Sequence, residues 1–195
     1  MKENRLNIRK VAGVGLLAAV VFASSYLRIN IPTPTGTTGV HLGNIFCVMS
    51  GLLMGPWLGG LAGGIGSMFF DLTNPLYVAS APFTFLFKFT IGFVSGLIAF
   101  SGSRDGKDVR MNFVAATAGS LSYVVLYLGK NLIEDLLFLR VEMETALLTT
   151  ATRSVSSLIN AVAAILISVP LAHAVRAALE RANLYRDFGY HKRNR

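Results

Sequence analysis

A small set of ionisable, amide and aromatic side chains in this sequence interrupts stretches that are otherwise apolar, and the members recur at helical intervals. Tyr123, Tyr127, Lys130 or Asn131, and Glu134 fall at i, i+4, i+7 or i+8, and i+11, on one face of a helix. Arg153, Ser156 or Ser157, and Asn160 share a face in a later stretch, and Lys88 stands about two turns inside another. Such a set suits capture of a small molecule. Hydroxyls, amides and ammonium groups supply hydrogen bonds and charge, and tyrosines offer faces for a flat ring. Ionisable groups within apolar segments are costly and face a cavity or one another. The competing role for each is structural, with Lys130 or Arg153 paired to Glu134 to hold helices together. Polar groups in corresponding halves of three stretches favour a shared pocket.

Signals for catalysis and nucleotide binding fail. Gly106-Lys107 lacks both the upstream glycine and the following hydroxyl of a phosphate-cradling loop. Gly13-Val14-Gly15-Leu16-Leu17-Ala18 has the spelling of a dinucleotide fingerprint, but no strand precedes it. No Ser/His/Asp or paired-histidine constellation stands out. Cys47 is the only cysteine, which excludes an internal disulfide, and in an apolar run it behaves as a small hydrophobe. With so few His and Cys, a metal cluster is not expected. The chain is therefore expected to be no enzyme and to hold no cofactor or metal of its own.

The elements that must position these residues are membrane helices. Of 195 residues, 53% are apolar and 14% charged, against about a quarter charged in soluble domains. The mean hydropathy is +0.56. Six apolar segments are expected, at 11–29, 41–55, 57–72, 82–101, 112–133 and 147–175, in one integral membrane domain spanning 1–195. Gly55-Pro56 separates the second from the third, because proline removes a helical hydrogen bond and pushes its predecessor out of the α region.

Charge supports six crossings over five. The N-terminal arm carries Lys2, Arg5, Arg9 and Lys10; the 102–111 loop carries Arg104, Lys107 and Arg110; the tail carries Arg176, Arg181, Arg186, Lys192, Arg193 and Arg195. With six helices all of these share one side, which the positive-inside tendency makes cytoplasmic, with both termini. That side holds the whole net charge of +8, and the other nets zero. The basic balance is an orientation signal with a possible contact to anionic lipid, and nucleic acid is not required to explain it. Five basic residues remain that orientation does not need: Arg28, Lys88, Lys130, Arg140 and Arg153. With them lie Asp71, Glu134, Asp135, Glu142 and Glu144.

The basic start and apolar core of the N-terminus resemble a signal peptide, but further apolar segments follow and an uncleaved first helix is expected. Residues 30–40 are rich in Pro, Gly and Thr and cannot be regular helix, and 73–81 form a second outer loop with Pro75 and Tyr77. Gly15, Ala19 and Ala23, four apart, form a flat strip on the first helix, suited either to packing within the bundle or to a partner helix. The glycines of the third segment, Gly59, Gly60, Gly63, Gly64 and Gly66, point to tight internal packing.

The run from Gly36 to Phe93 resembles the substrate-binding (S) components of energy-coupling factor (ECF) transporters, bacterial and archaeal micronutrient importers, in their riboflavin-type subgroup. The resemblance rests on His41-Leu42-Gly43, Gly55-Pro56, Asp71-Leu72 with Pro75, Ala81-Pro82 and the in-helix Lys88. Ala19-Val20-Val21-Phe22-Ala23 corresponds to the family's Ala-x-x-x-Ala motif on helix one. Beyond residues 37–93 the agreement is in topology only.

The resemblance implies an all-α, six-helix membrane fold in a bacterial or archaeal cell membrane. It implies capture of a vitamin or precursor, such as riboflavin, pyridoxine or hydroxymethylpyrimidine, from outside. It also implies a complex with a transmembrane coupling protein and two cytoplasmic ATPases, which would use the ATP. The pocket would lie between helices four to six under the first two outer loops. The implied cargo-binding set is His41, Asn44, Asn74, Tyr77, Lys88, Tyr123, Tyr127, Lys130, Asn131, Glu134, Arg153 and Asn160. Gly15, Ala19 and Ala23 would face the coupling protein. The alternative function is a self-sufficient small secondary transporter or channel, which would often show an internal repeat that this sequence lacks.

Overall fold

A computed structural model describes residues 8–185. Of the basic residues used for orientation, Lys2, Arg5, Arg186, Lys192, Arg193 and Arg195 lie outside them.

Helix α1 (Ile8–Ser25) stops short of the expected end. The hydroxyls of Ser24 and Ser25 donate back to Val21 O at 3.0 and 2.8 Å, a local bonding that competes with helix continuation. The β-branched residues that follow favour extended backbone. The outer loop is accordingly a hairpin: β1 (Arg28–Thr33) and β2 (Gly36–His41) pair antiparallel, Arg28 opposite His41 and Thr33 opposite Gly36. Arg28 and His41, expected in apolar helical segments, are strand residues, and among the described residues the helical fold carries one two-stranded ribbon.

Helix α2 (Gly43–Thr73) is one helical run interrupted at Gly55, whose φ of 78° and ψ of −175° suit glycine and precede Pro56. The interruption reverses the chain. A Cβ on Gly59 would stand 2.5 Å from Gly51 Cα, and Cys47 Sγ lies 3.8 Å from Ser67 Oγ, separations impossible along a straight helix. The arms 43–54 and 56–73 are therefore antiparallel neighbours, in contact because glycines occupy the crossing. Helix α3 (Ala81–Ala99) packs into the same seam, with Gly92 against Gly51 and Gly59, and Gly96 against Gly55 and Pro56. Gly60 and Gly64 receive the rings of Phe89 and Phe85. The third segment's glycines thus serve internal packing.

Asp108 caps helix α4 (Val109–Ile133), accepting from the amides of Arg110 and Met111 at 3.0 and 3.2 Å. A wide π-helical turn, Glu134–Phe138, ends it. Helix α5 (Met143–Arg181) runs six residues past its expected end. Arg176, counted above as a tail charge, is therefore a buried α5 residue, donating to Leu52 O and, at 3.0 Å, to the Tyr185 hydroxyl.

The arms alternate between two ends. Gly55, Ala99, Gly106 and Arg176 gather at one, with Arg176 and Gly106 both against Leu52 O. The hairpin, Thr73, Ala81 and Asp135 gather at the other, where Tyr26 bonds Thr73 at 2.9 Å. Exposed leucines and valines, among them Leu121, Val125, Leu158, Val162 and Leu166, cover the outer flanks of α4 and α5. Among the described residues, five helices, with α2 counted once, are long and apolar enough to cross a membrane. The chain is an all-α, multi-pass membrane protein.

Gly15, Ala19 and Ala23 are exposed, and a Cβ on Gly15 would meet nothing within 4 Å. Helix α1 packs on α2 through Ala18 and Val21 against Gly66. Packing within the bundle is thus not the role of the small-residue strip.

Candidate functional site

A cavity of about 270 Å³ lies at the hairpin end, between α3, α4 and α5 and beneath β1 and β2. His41, Tyr77, Lys88, Tyr123, Tyr127, Lys130, Asn131, Glu134, Arg153 and Asn160 line it. Asn44 and Asn74 do not. Asn44 is buried behind Lys88, whose ammonium donates to its Oδ1. Asn74 shapes the α2–α3 turn, its Oδ1 accepting from Leu76 N at 3.1 Å and its carbonyl from Tyr77 N at 2.9 Å.

Helical spacing on α4 places its tyrosines one above the other. The rings of Tyr123 and Tyr127 stack with centroids 5.5 Å apart and planes 15° from parallel. Lys88 Nζ sits 4.1 Å from the Tyr123 centroid, so the buried ammonium meets a ring face and an amide oxygen. The Tyr127 hydroxyl is 3.4 Å from Thr38 Oγ1, and Thr38 in turn is 2.7 Å from Ser156 Oγ. Asn131 ties back to Tyr127 O at 2.7 Å.

Helix α5 holds the roof. Asn160 uses both ends of its amide, donating to Gly39 O and accepting from His41 N, each at 2.8 Å. Arg153 donates to Asp135 Oδ2 at 2.6 Å and to Thr35 Oγ1 at 2.9 Å. Lys130 pairs with Glu134 one turn along and lies 5.3 Å from the Phe83 centroid. The pairing considered between Arg153 and Glu134 is therefore made with Asp135 instead. Asp135 follows Asn131 by four residues, at the edge of the tyrosine face, and lies in the wide turn that ends α4.

His41 Nδ1 accepts from Gly43 N at 3.2 Å, at the start of α2. Burial, then the charges of Lys88 and Arg28, hold the imidazole pKa well below the ordinary 6.5. His41 is neutral at physiological pH, and with Nδ1 an acceptor its proton resides on Nε2. Arg28 stacks on Tyr77 with its guanidinium carbon 4.4 Å from the ring centroid and 5.5 Å from that of Phe70. The Tyr77 hydroxyl reaches Asn30 at 3.2 Å and Thr37 at 3.1 Å, fixing the second outer loop to the hairpin.

Helix-face reasoning missed Arg28, Thr35, Thr38, Asp71 and Asp135, which also line the cavity. Arg28, Asp71 and Asp135 carried a signal: they are charges on the far side from the basic loops that orientation does not require. The threonines carried none, since only hairpin register aims them inward.

Comparison with known proteins agrees with this architecture. The family model described as "ECF-type riboflavin transporter, S component" matches residues 5–177. A Pyrococcus woesei protein, described as an uncharacterized protein in the gap 3′ region, is 30% identical over 106 residues, covering 54% of this chain and 69% of that protein.

Proposed function

The chain belongs to the ECF-type riboflavin transporter S-component family, and from that premise we propose that it captures a flat-ring vitamin or vitamin precursor from outside the cell for ATP-driven import. Riboflavin, pyridoxine and hydroxymethylpyrimidine exemplify the cargo class. The observation that carries this reading is the cavity at the hairpin end, where polar groups of α3, α4 and α5 meet a stacked tyrosine pair. The described basic residues Arg104, Lys107, Arg110 and Arg181 belong to the opposite end of the bundle. By the positive-inside tendency, the cavity then opens outward, the two arms of α2 count as separate crossings, and both termini are cytoplasmic.

Cargo makes its contacts with the lining residues, His41, Tyr77, Lys88, Tyr123, Tyr127, Lys130, Asn131, Glu134, Arg153 and Asn160. Asn44 and Asn74 support them from behind. The coupling protein docks on Gly15, Ala19 and Ala23, whose exposure supports that role. ATP hydrolysis belongs to two cytoplasmic partner ATPases, and the membrane is that of a bacterial or archaeal cell.

The test is a thermal-stability screen of the purified protein against the water-soluble vitamins, with mass spectrometry of whatever co-purifies. A tight ligand must raise the apparent stability. Absence of stabilisation by every compound defeats the binding claim. Uptake should require the coupling proteins and ATP. Ion-driven uptake by this chain alone in liposomes would instead favour a self-sufficient transporter.

A further inference from the structure

Four cationic side chains line the cavity, and they are not equally matched. Lys130 pairs with Glu134 and Arg153 with Asp135. Among the described residues, neither Arg28 nor Lys88 forms an ion pair. Lys88 is 5% exposed, donates to the Asn44 amide and lies against the Tyr123 ring, with the Asp71 carboxylate in electrostatic reach. Arg28 meets the faces of Tyr77 and Phe70, and its Nε is buried with no hydrogen-bond partner. One acid of the lining remains, Asp71, which lies in electrostatic reach of both cations. Two cations against one carboxylate leave a single positive charge at this pole. His41 cannot supply an anion, and the Arg28 and Lys88 charges both act to keep it neutral.

We infer that the cargo is a compact ring compound bearing one acidic group, a carboxylate or phosphate, seated with that group at the Arg28–Lys88 pole and its ring toward Tyr123 and Tyr127. A buried, unpaired cation is costly, and an incoming anion relieves that cost through charge-assisted hydrogen bonds. The Arg28 Nε and the Lys88 ammonium offer donors of that kind. Size points the same way: about 270 Å³ falls just below the ~300–1,000 Å³ range of small-molecule sites. The inference rests on the vitamin-capture reading and narrows its cargo to acidic members of the class, which riboflavin, pyridoxine and hydroxymethylpyrimidine are not.

The experiment uses the full-length protein in detergent and three matched pairs: nicotinate with nicotinamide, pyridoxal 5′-phosphate with pyridoxal, and flavin mononucleotide with riboflavin. Binding is followed by thermal stabilisation. In at least one pair the acidic member should act at about tenfold lower concentration than its neutral partner. Which pair responds separates a carboxylate from a phosphate. Arg28→Gln and Lys88→Gln should each erase that preference, bringing the two members of the pair to the same effective concentration. Arg28, which is less buried, serves if Lys88→Gln fails to fold. Neutral members binding as well as acidic ones would overturn the inference, as would no response to any pair or a preference that survives both substitutions. The transporter reading fails separately, by absence of ATP-dependent uptake with the coupling module, whatever charge the cargo bears.

Discussion

Arg153 of α5 and Asp135 at the end of α4 meet at 2.6 Å, and both side chains are almost fully removed from solvent. The same guanidinium reaches Thr35 in the hairpin turn, so one side chain joins two helices and the roof of the cavity. Asp135→Ala should destabilise the protein by about 3–5 kcal/mol, because it strands a buried charge. Adding Arg153→Met to that variant should restore much of the loss. Thermal unfolding of the two variants beside the parent checks this. A double variant no more stable than Asp135→Ala would mean that the pair does not hold the helices.

Asn160 is the other fastening of the roof, and it acts on backbone alone. Removing its two hydrogen bonds in Asn160→Ala frees Gly39 O and His41 N. Each bond contributes about 0.5–1.5 kcal/mol net. The hairpin should therefore open more often while the helices stay formed. Hydrogen exchange should quicken at residues 36–41 and remain unchanged in α3 and α4. Uniformly faster exchange would show that Asn160 supports the whole bundle instead.

His41 gives stability a pH dependence whose sign follows from its environment. Its folded-state pKa lies below the ordinary 6.5 because the ring is buried and faces Lys88 and Arg28. Between those two values the unfolded chain binds a proton that the folded chain refuses. Stability from this group is thus fully present above 6.5 and falls as pH drops through the window below it. Protonation would also take from Gly43 N its acceptor on Nδ1. His41→Gln should flatten the slope of melting temperature against pH below 6.5. An unchanged slope would assign it to other groups.

These residues also mark where sequence reasoning reaches and where it stops. Tyr123, Tyr127, Lys130 and Glu134 were legible because helical period alone puts them on one face. Lys88 was legible because an ammonium inside an apolar run needs a reason. The reversal at Gly55-Pro56 was legible because proline removes a helical hydrogen bond and pushes its predecessor out of the α region. Thr35 and Thr38 were not, since their place depends on hairpin register and on contacts with a helix over a hundred residues away. Asp135, four residues after Asn131, lay at the edge of the tyrosine face and was passed over in favour of its neighbour Glu134. Arg176 resembled one more cytoplasmic charge until α5 was seen to continue past it to Arg181.

Glycines of equal appearance in the sequence have opposite structural standing, and substitution should separate them. At Gly59 a Cβ would stand 2.5 Å from Gly51 Cα, backbone against backbone, so neither side can yield cheaply. Gly59→Ala should cost about 1–3 kcal/mol as the two arms of α2 are forced apart. At Gly15 a Cβ meets open space, and Gly15→Ala should leave stability unchanged or raise it, since alanine favours helix. The exposed face around Gly15 then allows a sharper test of the docking role proposed for it. Ala19 is exposed on the same strip, so Ala19→Trp adds bulk where nothing in this chain is displaced. That variant should unfold at the parent's temperature and keep its ligand response, yet lose ATP-dependent uptake with the coupling proteins. Such a split would place the function of the strip in the partner. Uptake at the parent's rate would remove Ala19 from the interface, and loss of ligand response would return the strip to a structural role.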